Sequence, residues 1–346
     1  MRSIPFFFLF LGVACSLFAQ EKSYKIGCIG FYNFENLFDT LDTPDVSDSE
    51  FTPESPKRYG TAIYTEKLSH LADVVFQMGT ELTPDGVALL GVAEVENRGV
   101  LEDFVSQEQV RDRNYQIVHY DSPDGRGIDV ALLYNPKYFE VLSSRPIPMG
   151  SYESNGVVRY TRDVLFVSGL FDGEPLHILV NHWPSRSGGE KATQHLREMA
   201  ALLCKNVVDS LCAVDPEAKV LIMGDLNDDP ISPSVKQVLQ AKRYADDVRP
   251  CGLFNPMWEL YAKGTGTLAY RDTWNLFDQI MASYGLVDKK NEGYRFYQAR
   301  VFNKPFLIQK SGNFKGYPWR TWAGDTYLGG YSDHFPVYVY LLKEVE

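Results

Sequence analysis

Lys219-Val220-Leu221-Ile222-Met223 leads without a break into Gly224-Asp225-Leu226-Asn227-Asp228-Asp229-Pro230. The apolar run is too short for a helix and lacks polar alternation, the pattern of a strand buried on both faces. Gly224 permits a close-approaching backbone and Pro230 stops regular continuation, so Asp225 and Asn227 are expected at the strand's C-terminal edge. In α/β sheets that edge is where ligands bind. Read alone, the stretch is equally an Asp- and Asn-rich turn.

The chain of 346 residues has a composition expected of a globular protein with a sizeable core. Its first residues give one positive charge, Arg2, and then an apolar stretch ending in Ser16-Leu17-Phe18-Ala19. This reads as a secretory signal over residues 1–19, with a lipoprotein anchored through Cys15 as the alternative. No later segment is long and apolar enough to span a membrane. The mature protein is expected to be exported, with a single domain over 24–346, no convincing second domain and no obligate protein partner. Cys28, Cys204, Cys212 and Cys251 are too sparse for a disulfide scaffold; Cys28 on a core strand, and Cys204 and Cys212 on one helix, read as buried small hydrophobes. A formal charge of −11 argues against a broad basic surface but not against a narrow phosphate site in which a metal supplies the positive charge.

Taken in order, residues 24–34 read as a core strand ending in Asn33-Phe34-Glu35-Asn36, and the acidic run 39–54 as a solvated loop. Residues 65–78 have helical spacing, and Val87-Ala88-Leu89-Leu90-Gly91-Val92-Ala93 is a strand terminating in Glu94. A helix over 101–110 and a strand over 115–120 precede Arg126-Gly127-Ile128-Asp129, where a glycine turn feeds a strand; solvated hairpin charges are the other reading. A hairpin over 164–180 delivers Asn181-His182-Trp183-Pro184-Ser185-Arg186. The longest helix, 191–211, leads into the strand before Asp225, and 233–241 is a short helix. Residues 274–281 read as one strand interrupted by Asp278, and Ser332-Asp333-His334-Phe335-Pro336 precedes the last strand, 337–342.

Nearly all the polar candidates fall at strand ends. Carboxylate and amide oxygens suit a hard divalent ion such as Mg²⁺, with Mn²⁺ or Ca²⁺ as alternatives, better than zinc. Two histidines accompanied by carboxylates suit general acid–base work. Together they point to metal-assisted, in-line attack of water on a phosphate ester.

The ordered set resembles the endonuclease/exonuclease/phosphatase superfamily, from about residue 24 to the C-terminus. The most specific matches are Gly224-Asp225-Leu226-Asn227-Asp228 and Ser332-Asp333-His334-Phe335-Pro336, supported by the segments around Asn33, Glu94 and Asp278. The segments around Asp129 and His182 look most like the secreted bacterial nuclease-like branch. The resemblance implies an α/β (α+β) four-layer sandwich, two packed mostly antiparallel sheets flanked by helices. It implies Glu94 as principal metal ligand, with Asn33 close to the ion and Asp333 a further ligand. It makes His334, oriented by Asp278, the general base. His182, paired with Asp129, would protonate the leaving oxygen or stabilise the transition state, while Asp225 and Asn227 would position water and phosphate. Arg126 and Arg186 are candidates for phosphate contact. Ala93 stands where the family usually has Gln, which removes a supporting amide and no ligand. His70, His119, His177 and His195 match no motif and read as structural.

The expected activity is that of a Mg²⁺-dependent phosphodiesterase, an endonuclease or exonuclease on nucleic acid. The alternatives are a phosphatase or phospholipase-like hydrolase of a small or lipid phosphoester, which an aromatic wall from residues 254–270 would favour, and a metal-binding module without catalysis.

Overall fold

Short apolar runs become eighteen strands, joined by four α-helices, among the described residues. The computed structural model describes residues 22–154 and 156–345; the expected signal, 1–19, and Cys15 lie outside them. The order begins β1 (Ser23–Leu37), α1 (Thr61–Gln77), β2 (Leu89–Val95), α2 (Arg98–Val105), β3 (Gln116–His119), β4 (Asp129–Tyr134) and β5 (Phe139–Ile147). It continues with β6 (Ser151–Ser154), β7 (Val157–Tyr160), β8 (Val164–Phe171), β9 (Glu174–His182), α3 (Glu190–Val214), β10 (Val220–Asp225) and β11 (Leu253–Phe254). The C-terminal part holds α4 (Met257–Ala262), β12 (Leu268–Tyr270), β13 (Thr273–Asn275), β14 (Asp278–Ser283), β15 (Arg295–Val301), β16 (Trp322–Ala323), β17 (Thr326–Tyr327) and β18 (Val337–Val345).

Two six-stranded sheets result, ordered β15-β18-β1-β2-β4-β3 and β11-β14-β10-β9-β8-β5. Only the pairs β1–β2 and β9–β10 are parallel within them. Successive side chains of one strand point to opposite faces, and the core divides accordingly. In β1, Cys28 and Tyr32 join α1 and α2 in an outer core, while Ile29 and Phe31 face the second sheet. In β10, Leu221 and Met223 face the first sheet, while Ile222 packs with Ala200, Cys204 and Val208 of α3. Each central strand is therefore covered on both sides, which is why its sequence is continuously apolar. Gly91 lets the sheets close: a Cβ there would lie 2.6 Å from Met223 Sδ.

Three expectations are corrected. Cys212 is no simple apolar filler, because it forms a disulfide with Cys251 across 39 residues; Cys28 and Cys204 are free and buried, as expected. The acidic run is anchored as well as solvated: Phe51 stacks on Phe38 at 4.3 Å, and buried Asp48 accepts the Thr43 N–H at 3.0 Å. Residues 274–281 are two strands: Trp274 pairs in the β12–β13 hairpin, and the Leu226 N–H binds the Phe277 carbonyl at the break, so Asp278 opens β14.

Closing a 39-residue loop restricts the unfolded chain. Cys212→Ser is expected to cost about 2–4 kcal/mol of stability. A lowered melting temperature in the variant, which reductant then leaves unchanged, is the measurement.

Candidate active site

Strand direction decides which ends meet. Parallel β9 and β10 finish together with His182 opposite Asp225, and antiparallel β14 begins on the other side of β10 with Asp278 opposite Asp225. In the facing sheet Asn33 of β1 lies opposite Ala93 of the parallel β2, while antiparallel β4 and β18 start at that same end. One end of the sandwich thus carries Asn33, Glu94, Asp129, His182, Asp225, Asp278, Asp333 and His334.

Glu94 owes its position to a bulge. Ala93 pairs with Val130 and Val95 with Asp129, leaving Glu94 as the extra residue at φ 58°. A left-handed backbone is costly for a residue other than glycine and clusters at functional sites. Glu94 Oε2 accepts the Asn36 N–H at 3.0 Å, and Oε1 lies 3.7 Å from both His182 Nε2 and the Arg126 guanidinium. Asn33 accepts the Glu35 N–H at 2.9 Å and donates to Asp225 Oδ2 at 3.1 Å. Asp225 Oδ1 accepts the N–H of Asn227, itself at φ 49°. The Asn227 amide donates to the Trp183 carbonyl at 2.9 Å, so this side chain fixes the loop. Gly224 is required where it stands, since a Cβ would meet the Asn181 carbonyl oxygen at 2.3 Å.

Asp225 Oδ2 is 3.7 Å from His182 Nε2 and 3.8 Å from His334 Nε2. His334 Nδ1 meets Asp278 Oδ2 at 2.7 Å. The imidazoles are electrostatically unequal. Burial pushes His182 well below its ordinary pKa, and the cations of Arg162 and Arg126 add to this. Burial opposes charge on His334 too, yet the Asp278 and Asp225 carboxylates outweigh it and hold His334 well above its ordinary value. Burial, reinforced by Asp278 and Glu94 against the pull of His334, pushes Asp225 up to about 6.

Two proposed roles are corrected. Asp129 does not orient His182: one of its oxygens lies 2.9 Å from His119 Nε2 and the other accepts from the Ser122 N–H and hydroxyl. His119 therefore has a partner no motif disclosed, and His182 Nδ1 is buried without one among the described residues. Arg186 is committed to the loop, donating to the Asn227 carbonyl at 2.9 Å and to Asp228 at 3.1 Å. Arg126, by contrast, is half-exposed beside Glu94.

Three residues escaped the sequence reading. Glu35 accepts the backbone N–H groups of Thr321 and Trp322, and burial, with Asp333 nearby, pushes it up to about 7. Lys67 is fully buried on α1 and donates to the Thr321 hydroxyl at 2.8 Å. Arg162 ties the carbonyls of His182 and Trp183 to Asp124. A lysine on an amphipathic helix and an arginine between strands resemble surface residues in sequence, so neither carried a signal; Glu35 lay inside a recognised segment.

Oxygen donors of this kind fit a divalent cation. Asp225, Asp278 and His334 have ligand atoms within 4.8 Å of one another, but Asp278 and His334 already bind each other. Glu94 with the neighbouring Asn33, and Asp333 next to His334, is the better set because Glu94 Oε1 contacts its surroundings only at 3.7 Å. Asp333 also lies 3.5 Å from Arg320. A cavity of about 780 Å³ lined by Lys22 and Glu344 lies at the far end of β1 and β18, away from these residues.

A family model described as endonuclease/exonuclease/phosphatase family matches residues 28–343. Proteins of that family are phosphoester hydrolases that use divalent metal ions. No curated protein matches the chain. Among solved structures, humanized D. rerio TDP2 is 14% identical, with 91% of this chain and 98% of that one covered and a TM-score of 0.53. A Bacteroides thetaiotaomicron family member is 14% identical, covering 94% and 100%, at 0.54. A mannosyl-6-phosphatase of the same organism is 16% identical, covering 91% and 99%, at 0.54. These likenesses show the fold.

The raised pKa of Asp225 contributes stability that is full below its ordinary value and lost as pH rises through about 6. A cation neighbouring this carboxylate competes with its proton at pH 5 and not at pH 8. Mg²⁺ or Mn²⁺ is therefore expected to raise the melting temperature more at pH 8 than at pH 5, and Glu94→Ala to abolish the increase, as read by thermal denaturation with and without EDTA.

Proposed function

The chain belongs to the endonuclease/exonuclease/phosphatase family, and from that premise we propose an exported, Mg²⁺-dependent phosphodiesterase that hydrolyses nucleic acid by in-line attack of water. The observation that carries the chemistry is Asp225 Oδ2 between two imidazoles, at 3.7 and 3.8 Å. Both separations exceed hydrogen-bond reach and suit an intervening oxygen.

Asp225, titrating near 6, is ionised at neutral pH yet basic enough to take a proton from the attacking water. His334, held as imidazolium by Asp278, donates from Nε2 to a phosphoryl oxygen as negative charge grows. That gives the base role to Asp225, where the family resemblance had suggested His334. His182, held neutral, offers Nε2 as a hydrogen-bond partner between Asp225 and Glu94, on the path to the leaving oxygen. Asn227 holds the loop that presents Asp225, and Arg126 is the exposed cation for the phosphate. Glu94, Asn33 and Asp333 would hold a divalent ion, which would supply positive charge for the phosphoryl oxygens.

The nuclease reading is supported by the Arg-Gly-Ile-Asp and Asn-His-Trp-Pro segments and by likeness to a D. rerio TDP2 complexed with single strand DNA product. A small-phosphoester phosphatase is the second reading, favoured by likeness to a mannosyl-6-phosphatase and by the −11 charge. Of residues 254–270, Phe254 and Met257 belong to the core, while Tyr270 is exposed. Export rests on residues 1–19 and accords with the Cys212–Cys251 disulfide, a bond that persists in oxidising compartments.

Plasmid, single-stranded DNA, RNA and small phosphate esters, each with Mg²⁺, Mn²⁺ or EDTA, test the assignment. Polynucleotide cleavage is expected, lost with EDTA and reduced about 10³-fold by Asp225→Asn and about 10²–10³-fold by His334→Ala. Turnover confined to monoesters would replace the nuclease by a phosphatase; cation binding without turnover would favour a binding module.

A further inference from the structure

Past Arg126 the site opens into a cavity of about 560 Å³, floored by the loop around Asp124 and by Pro184 and Ser185, and walled by the β6–β7 hairpin. The cavity adjoins the chemistry directly. Arg126 lies 3.7 Å from Glu94, and Arg162, in the cavity floor, holds the His182 carbonyl at 3.2 Å. Its size suits one organic residue beyond the reacting phosphate.

The hairpin belongs to neither six-stranded sheet, and Val157, Val158 and Tyr160 on it are more than half exposed. Apolar surface of this kind adds nothing to the core and marks a contact site. The charge of the cavity is opposite to that of the chain. Arg126, Arg159 and Arg162 line it against a single carboxylate, Asp124, which is bound to Arg162 at 2.9 Å, while the whole protein carries −11.

We propose that this cavity is the subsite for the nucleotide adjoining the scissile phosphate in a single nucleic-acid strand. Tyr152 and Tyr160 supply the aromatic surface for the unstacked base, and Arg159 contacts the next phosphate. Aromatic rings alternating with cations are how single strands are held without sequence readout. A base paired within a duplex cannot enter such a space, so the subsite selects single strands and frayed ends. The assignment rests on the nuclease reading, and equilibrium binding separates the two.

Fluorescence anisotropy of a labelled dT6 oligonucleotide, measured with the mature protein in EDTA, is the test. Tyr160→Ala is expected to weaken binding about tenfold. Arg159→Ala is expected to lower the slope of log affinity against log salt by about 0.7, the loss of one single-strand phosphate contact. Arg98→Ala, which removes an exposed charge on α2, controls for net charge and should leave binding unchanged. Affinity untouched by both hairpin substitutions, equal affinity for duplex, or displacement by equimolar mannose 6-phosphate would each overturn the proposal. Hydrolysis of bis(4-nitrophenyl) phosphate by the unsubstituted protein reports separately on the catalytic reading, since that ester carries no nucleotide.

Discussion

Asp225 is the last residue of a strand hydrogen-bonded on both sides, and that double pairing organises the whole reactive end of the molecule. β9 brings His182 to one flank and β14 brings Asp278 to the other, with His334 completing the arrangement from the facing sheet. None of these positions depends on a long flexible loop. A shift of register by one residue would turn the side chains to the opposite face, so the apolar alternation that packs the two sheets also aims the catalytic groups. Packing and chemistry here share one constraint.

That arrangement gathers negative charge where water is scarce, and the surroundings answer it unevenly. Behind the loop, Asp228 is compensated by Arg197, fully buried at 2.8 Å, and by Arg186. Breaking such a buried pair leaves an uncompensated charge, which is what makes the loop rigid. In front of it, Glu94 meets Arg126 only at 3.7 Å and Asp225 meets His334 only at 3.8 Å. The rear of the loop is thus saturated with ion pairs, while the front presents carboxylates without a close cation.

Several strand-end residues were legible because they border a short apolar run, and a buried run has only two ends at which a charge can emerge. Glu94 and Asp225 could be placed at strand ends on that basis, whereas the two packed sheets, and Asp278 and His334 as parts of the same site, came from the resemblance of the ordered motifs to a known family. Other features depended on tertiary approach that leaves no local trace. Asp129 turned to His119, ten positions away on an adjacent strand, and not to His182. Arg186, expected to contact phosphate, folds back on Asp228 and Asp229. The Cys212–Cys251 pairing joins the end of α3 to an irregular segment. The β6–β7 hairpin, off both sheets, lacks the strong apolar signal that exposed the core strands.

The disulfide also has a topological meaning. The segment between Cys212 and Cys251 contains all of β10 and the turn through Pro230, so Asp225 lies inside a covalent ring. When the rest of the chain is unfolded, the end of α3 and the segment leading into β11 remain tethered, which lowers the entropy lost in bringing them together again. The tight backbone around Asp225 therefore forms inside a ring whose ends are already joined, and not through a search over the whole chain.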